Sequence, residues 1–305
     1  MPDPLRDPAP EPGFRCAAAA EARAEPLAGT ASTVRAFLLL EHPGPWGVDA
    51  LRDARLPGGT GPALRAAAAE TGVRILLVRR PGRSQPDGRR VFAVSARPGA
   101  AWAETAVVDH PSELLRLDLA ELRAGRSLGL DRHAEPVFCI CTHGRHDACC
   151  AERGRPVAAA LAEAYPEQTW EVSHLGGDRF AGNMLVAPDG LYYGRLTPQA
   201  AVAVAAARLD GRLELDHLRG RTGWPMAVQA AEVALRRHLG ETGLDTVRAR
   251  SRHVTGDVST VTFDVRGRPY VVAVRTTRSE PVTLTCRARR DNPAIGHEVL
   301  EVRAG

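Results

Sequence analysis

Residues 136–174 read PVFCICTHGRHDACCAERGRPVAAALAEAYPEQTWEVSH, and this stretch predicts a strand, a helix and a second strand in that order. Residues 136–141 are a short apolar run that is typical of a buried strand. The alanine-rich segment 150–165 ends before a proline, as helices often do, and residues 169–174 predict the second strand. The sequence therefore predicts an α/β unit at the centre of the chain.

The elements around this stretch predict two lobes with the same order of elements. Residues 184–187 and 191–195 flank an Asp-Gly turn signal and predict a hairpin, after which Pro198 opens an alanine-rich helix. An earlier series that begins β-α-β-β is predicted by a strand at 34–41, a helix at 62–71 and strands at 73–78, 90–96 and 101–108. The second lobe thus repeats the order of the first, and β-α-β-β-α is the order of a thioredoxin-like layer.

The remaining patterns set the expected domain boundaries. A proline-rich start without an apolar core predicts a disordered arm rather than a secretory signal, and a polar break near 124–129 separates the lobes. The last part of the chain predicts a helix at 225–239 and strands at 247–253, 258–265, 270–274 and 282–286. We expect a bilobal α/β protein with a disordered arm at 1–15, an N-terminal α/β lobe at 16–125, a thioredoxin-like lobe at 130–210 and a helix plus β-rich C-terminal module at 211–305.

Composition argues against several functional classes. A formal net charge of +4 with 25% charged residues gives no strong electrostatic footprint for nucleic acid. No apolar run approaches the length of a membrane span, so we expect a cytoplasmic protein that binds neither nucleic acid nor membrane. The sequence has no nucleophile elbow, dinucleotide fingerprint or P-loop, and we assign no catalytic residue.

The six cysteines indicate metal or redox chemistry, because they lack the even spacing of a secreted disulfide scaffold. Cys139 and Cys141 lie two apart on a predicted strand and share a face, whereas the adjacent Cys149 and Cys150 cannot easily face one centre. One cysteine from each pair is the simplest choice of ligands. Cys150 would open a helix, where the positive end of the dipole favours a thiolate.

A second segment supplies imidazole and carboxylate groups as further candidate ligands. Residues 174–178 read H-L-G-G-D, and the two glycines permit a sharp turn that presents both His174 and Asp178 inward. Thiolate sulfur beside imidazole nitrogen is a ligand set for zinc or an iron-sulfur cluster. The solitary Cys16 and Cys286 are expected to be ordinary buried thiols.

The pattern C-x-C-T-H-G…D-x-C-C followed by H-x-G-G-x-R-F-A resembles the sucrase/ferredoxin-like proteins, a thioredoxin-like ferredoxin family. In that family a [2Fe-2S] cluster is held by two cysteines with eight residues between them and by two histidines in an H-x-G-G-H pattern. The resemblance implies Cys141, Cys150 and His174 as ligands, and Asp178 stands where the family has its second histidine. It also implies an electron-transfer protein rather than a stand-alone enzyme, whose reductase and electron acceptor the sequence does not identify.

The aspartate leaves the fourth ligand open. Asp178 could bind iron through an oxygen, a nearby residue could replace it, or the cluster could be labile or lost; the candidate replacements are His143, His146, Cys139 and Cys149. We expect Asp178 to bind, because the Gly-Gly turn is intact. Two other functions remain open: a structural zinc site, and thiol-disulfide exchange by the clustered cysteines, although neither pair has the C-x-x-C spacing.

Overall fold

The structure is a computed structural model that describes residues 13–82 and 88–305. Residues 1–12, which make up most of the predicted N-terminal arm, lie outside the described residues, as do residues 83–87. Within the described ranges, no helix combines the length and the apolar character needed to cross a membrane.

Ten strands of the described chain form one mixed sheet. They are β1 (Ala36–Glu41), β2 (Arg74–Arg79), β3 (Arg89–Ser95), β4 (Trp102–Val108), β5 (Asp131–His133), β6 (Val137–Cys141), β7 (Thr169–Val172), β8 (Met184–Ala187), β9 (Leu191–Tyr193) and β10 (Leu218–Arg221). Their order across the sheet is β10-β9-β8-β6-β7-β2-β1-β3-β4-β5. Strands β1 and β6 are buried on both faces, which explains why they read as continuous apolar runs.

The α-helices lie mainly on one face of this sheet, because the core on the opposite face consists almost entirely of strand and loop residues from both halves. In the described ranges the helices are α1 (Cys16–Ala22), α2 (Ala50–Asp53), α3 (Thr60–Thr71), α4 (Leu119–Ala124), α5 (Ala148–Ala164), α6 (Pro198–Leu209) and α7 (Met226–Leu239). Helices α5 and α6 pack together against the face of β6 that carries Phe138 and Ile140. The opposite face of β6, which carries Cys139 and Cys141, contributes to a separate core.

The two halves of the large sheet share one topology. In one half, β1 pairs parallel with β2 and antiparallel with β3, and β3 pairs antiparallel with β4. In the other half, β6 pairs parallel with β7 and antiparallel with β8, and β8 pairs antiparallel with β9. The predicted α/β class is confirmed, and so is the prediction that the second lobe repeats the order of the first.

The halves meet at a short seam where β2 and β7 pair antiparallel. Arg79 of β2 lies opposite Glu171 of β7, and an ion pair of 2.5 Å joins their side chains. The same Glu171 carboxylate accepts a hydrogen bond of 2.9 Å from the Thr142 hydroxyl. The seam is therefore bonded directly to the loop that follows β6.

A separate antiparallel sheet forms the C-terminal part of the chain, as predicted. Its strands are β11 (Val247–Thr255), β12 (Val258–Val265), β13 (Arg268–Val282) and β14 (Asn292–Ala304), in sequential order, and α7 packs against them. The prediction of a separate last strand at 282–286 is wrong, because β13 ends at Val282 and residues 283–286 belong to the connection between β13 and β14. Strand β14 is mostly exposed, so its charged residues hid the alternating pattern from the sequence analysis.

Candidate metal centre

Cys141 and Cys150 lie at the two ends of the short connection between β6 and α5. Cys141 is the last residue of the strand, and Cys150 lies in the first turn of the helix. Asp147 caps that helix by accepting a hydrogen bond of 2.9 Å from the backbone N–H of Cys149. The helix therefore begins at Ala148, two residues earlier than predicted, and both thiols are buried.

Gly154 lets α5 approach β6 closely. A β-carbon at position 154 would lie 2.0 Å from the carbonyl oxygen of Cys141, far inside any real contact. That oxygen belongs to the backbone, so it cannot move aside without shifting the strand. The missing side chain thus sets the distance between the two elements that carry Cys141 and Cys150.

We expect Gly154→Ala to lower the free energy of unfolding by about 3 kcal/mol and to reduce metal content, because relieving the overlap pushes α5 away from β6. Denaturant unfolding and metal analysis measure the two effects. The matched control is Ala159→Ser on the exposed side of the same helix, which should change the free energy by less than about 0.5 kcal/mol. A Gly154→Ala chain as stable as its parent would contradict this account of the helix position.

His174 and Asp178 are positioned by the turn that follows β7. Gly176 and Gly177 adopt φ values of 94° and 78°, in the left-handed region that favours glycine. This turn folds the chain back, so that the ring of His174 and the carboxylate of Asp178 face each other with an N···O distance of 2.8 Å. The glycine turn therefore brings His174 and Asp178 together, as the H-L-G-G-D pattern predicted.

The four residues predicted as ligands lie together in the structure. One ligand atom from each of Cys141, Cys150 and His174 lies within 4.8 Å of the other two. An Asp178 oxygen lies 3.2 Å from the Cys150 sulfur and 2.8 Å from the His174 Nδ1. Two buried thiols, one half-buried imidazole and one buried carboxylate thus form a donor set that could bind a metal.

Arg219 of β10 supports the glycine turn, and the sequence analysis did not identify it. Its buried guanidinium donates hydrogen bonds of 3.0 Å to the Gly176 carbonyl, 2.8 Å to the Asn183 amide oxygen and 3.0 Å to the Thr30 hydroxyl. A β-carbon on Gly177 would lie 2.3 Å from the same guanidinium, which explains the second glycine. Burial lowers the pKa of Arg219 to about 10, so it remains a cation at neutral pH.

His143 uses both ring nitrogens within the protein. Its Nε2 lies 2.9 Å from the Gly47 carbonyl oxygen, which requires the proton on Nε2. Its Nδ1 accepts a hydrogen bond of 3.2 Å from the backbone N–H of His174. His143 is therefore a positioning residue for the turn, and it has no free nitrogen for a metal.

His146 lies beside the donor set with one nitrogen free. Its Nδ1 lies 3.1 Å from the Val48 carbonyl oxygen and is bonded there, and its ring stacks on His174 at a centroid distance of 3.8 Å. Its Nε2 lies 3.9 Å from an Asp178 oxygen. His146 is therefore a candidate ligand or a close neighbour of the ligands.

The other two proposed replacements lie elsewhere. Cys139 shares a face of β6 with Cys141, yet it does not belong to the group of converging ligand atoms found among the described residues. Its surroundings are apolar, and burial raises the pKa of its thiol to about 12. Cys149 groups with Cys16 and Cys286 instead. The geometry therefore leaves Asp178 and His146 as candidates for the fourth ligand.

The charges of the donor set are strongly coupled. A hydrogen bond from Cys150, opposed by burial and aided by His174, holds the pKa of Cys141 well below its ordinary value. The same contact and burial raise the pKa of Cys150 well above its ordinary value. Burial lowers the pKa of His174, but Asp178 and Cys141 outweigh it and raise that pKa to about 9. Two anionic groups therefore surround one imidazolium, an arrangement in which a metal cation can replace protons.

Only the imidazole side of the donor set reaches the surface. Cys141, Cys150 and Asp178 are at most 3% exposed, whereas the side chains of His146 and His174 are 34% and 26% exposed. The thiols lie inside and the rings form the outer edge.

A mixed α/β fold with thiol, imidazole and carboxylate groups at one point defines a protein with a candidate metal centre. The model of the sucrase/ferredoxin-like family matches residues 27–220. The chain belongs to the sucrase/ferredoxin-like family, which confirms the resemblance seen in the sequence. The match begins after α1 and ends before α7 and the C-terminal sheet. No curated protein and no solved structure matches the chain.

Proposed function

We propose that the protein is a thioredoxin-like ferredoxin that carries one [2Fe-2S] cluster for one-electron transfer. The observation that carries the proposal is the convergence of Cys141, Cys150 and His174 within 4.8 Å, with Asp178 in contact with two of them. Cysteine thiolates are the usual ligands of iron-sulfur clusters, and imidazole replaces thiolate on one iron of some two-iron clusters. The donor set present in this chain fits that chemistry.

The burial pattern supports electron transfer as the role of the centre. The buried thiols exclude water from the sulfur side, while the exposed His174 and His146 rings place the other side at the protein surface. An electron could thus enter or leave through the imidazole edge when a partner docks there. The partners in this proposal are a reductase that supplies the electron and an acceptor that takes it.

Asp178 is the proposed fourth ligand. It is 3% exposed, and one of its oxygens already contacts both Cys150 and His174. His146 is the competing candidate, because its Nε2 is free and faces the same carboxylate. In that case Asp178 would lie beside the metal as an orienting carboxylate, 2.8 Å from the Nδ1 of His174.

Anaerobic purification with iron, sulfide and zinc analysis tests the proposal. We expect a brown protein with about two iron and two sulfide per chain and a paramagnetic signal after one-electron reduction. A colourless protein whose only metal is zinc, lost when Cys141 and Cys150 are both replaced by alanine, would support a structural zinc site instead. A metal-free protein with a reversible Cys141–Cys150 disulfide would support a thiol-disulfide oxidoreductase.

A further inference from the structure

Three cysteines outside the candidate metal centre also converge. Cys16 begins α1, Cys149 lies in the first turn of α5, and Cys286 lies in the connection between β13 and β14. Together with Asp147, each offers one ligand atom within 4.8 Å of the others. We call these four residues the three-thiol cluster. Cys16 and Cys286 lie outside the residues matched by the family, so the family does not assign this cluster.

The distances within the three-thiol cluster are those of a tetrahedral metal site. The sulfur of Cys286 lies 3.5 Å from the sulfurs of both Cys16 and Cys149. The sulfur of Cys16 lies 3.6 and 3.7 Å from the two oxygens of Asp147. Tetrahedral zinc with bonds of about 2.3 Å to sulfur and about 2.0 Å to oxygen requires ligand separations of about 3.8 and 3.5 Å.

Backbone groups prepare the three-thiol cluster for anionic ligands. The N–H of Cys149 donates to one Asp147 oxygen at 2.9 Å, and the N–H of Cys286 donates to the other at 2.7 Å. The N–H of Cys16 points at the Cys286 sulfur from 3.4 Å. These contacts orient the carboxylate and the Cys286 thiol, in the way that outer hydrogen bonds orient metal ligands.

Asp147 is a buried carboxylate that a bound cation would stabilise. Asp147 is 1% exposed, and among the described residues no arginine or histidine forms an ion pair with it. A buried carboxylate without an ion-pair partner is costly, and the positive end of the α5 dipole and two backbone hydrogen bonds offset only part of that cost. A divalent ion would supply the missing charge and would also allow the thiols to ionise. One disulfide, by contrast, would leave the carboxylate without a cation.

We propose that Cys16, Cys149, Cys286 and one oxygen of Asp147 bind a structural zinc ion. The ion joins α1, the helix that carries Cys150, and the C-terminal sheet, so it ties both end regions of the chain to the central fold. Buried apolar neighbours enclose it, Ala17 and Ala181 among them. The proposal does not depend on the metal at the candidate metal centre.

Metal analysis of the full chain and of two alanine variants tests this proposal. The parent should contain about one zinc per chain at this site, and Cys286→Ala should contain less than about a tenth of that. The Cys141→Ala/Cys150→Ala chain, in which the other centre is disabled, should keep its zinc. Cys139→Ala is the matched control, because it removes a buried thiol that belongs to neither group.

Cobalt provides a second readout on the same proteins. Co²⁺ added to the Cys141→Ala/Cys150→Ala chain should give intense tetrahedral bands and thiolate charge-transfer absorption, and adding Cys286→Ala should remove them. Circular dichroism establishes that each variant is folded. Zinc or cobalt binding that survives in folded Cys286→Ala overturns the proposal, as does a parent chain that binds no zinc or holds a disulfide between two of these cysteines.

Discussion

Replacing Cys150 with alanine is expected to lower the iron content to less than about a tenth of the parent and to abolish the visible absorption, because a two-iron cluster cannot replace a lost thiolate with a methyl group. Cys150 is the thiol that contacts both Cys141 and Asp178, so its loss also separates the two halves of the donor set. Iron analysis and the visible spectrum of anaerobically purified protein measure the effect.

Cys139→Ala is the control for this experiment. Cys139 is as buried as Cys150 and lies two residues before Cys141, yet it does not belong to the converging group. It should retain the iron of the parent. Full iron in Cys150→Ala, or equal losses in the two variants, would rule out the proposed ligand set.

Asp178→His is expected to raise the midpoint potential of the proposed [2Fe-2S] cluster by an amount on the order of 100 mV. An anionic carboxylate stabilises the more positive oxidised cluster, and a neutral imidazole removes one negative charge, as histidine ligation does in other two-iron clusters. Potentiometric titration of parent and variant under the same conditions measures the shift. The family pattern carries a histidine at this position, so the ring suits the turn.

His146→Gln separates the two candidates for the fourth ligand. If Asp178 binds iron, replacing His146 should leave the cluster in place with a much smaller shift in potential. Loss of the cluster in His146→Gln would instead identify His146 as the ligand. An unchanged or lower potential in Asp178→His would contradict ligation by Asp178.

Local patterns were sufficient to predict most of the fold. The runs that became β1 and β6, the alanine-rich helices and the Asp-Gly hairpin all carry signals that depend on neighbours in sequence. The seam between β2 and β7 carries no such signal, because strand pairing across distant segments depends on the whole sheet. Strand β14 was missed for a related reason: its exposed faces allow charges that local reasoning assigns to loops.

The candidate site was predictable to the extent that its residues lie near each other in sequence. Short spacings placed Cys141 with Cys150 and His174 with Asp178, and the structure brings the two pairs together. The role of Arg219 could not be predicted this way, because nothing in the sequence around it distinguishes it from the other arginines of the chain. The expectation that Cys16 and Cys286 are ordinary thiols took no account of Cys149, from which they are separated by long stretches of chain.

The two halves of the large sheet share one topology but contribute differently to the candidate metal centre. His143 and His146 are hydrogen-bonded to the carbonyl oxygens of Gly47 and Val48, respectively. These two residues belong to the loop after β1, in the half of the sheet that supplies no metal donor. Substitutions in that loop can therefore retune the electrostatics around His143 and His146 while every thiol stays in place. The half that supplies no donor therefore holds the two histidines in place, and the other half supplies the thiols and the carboxylate.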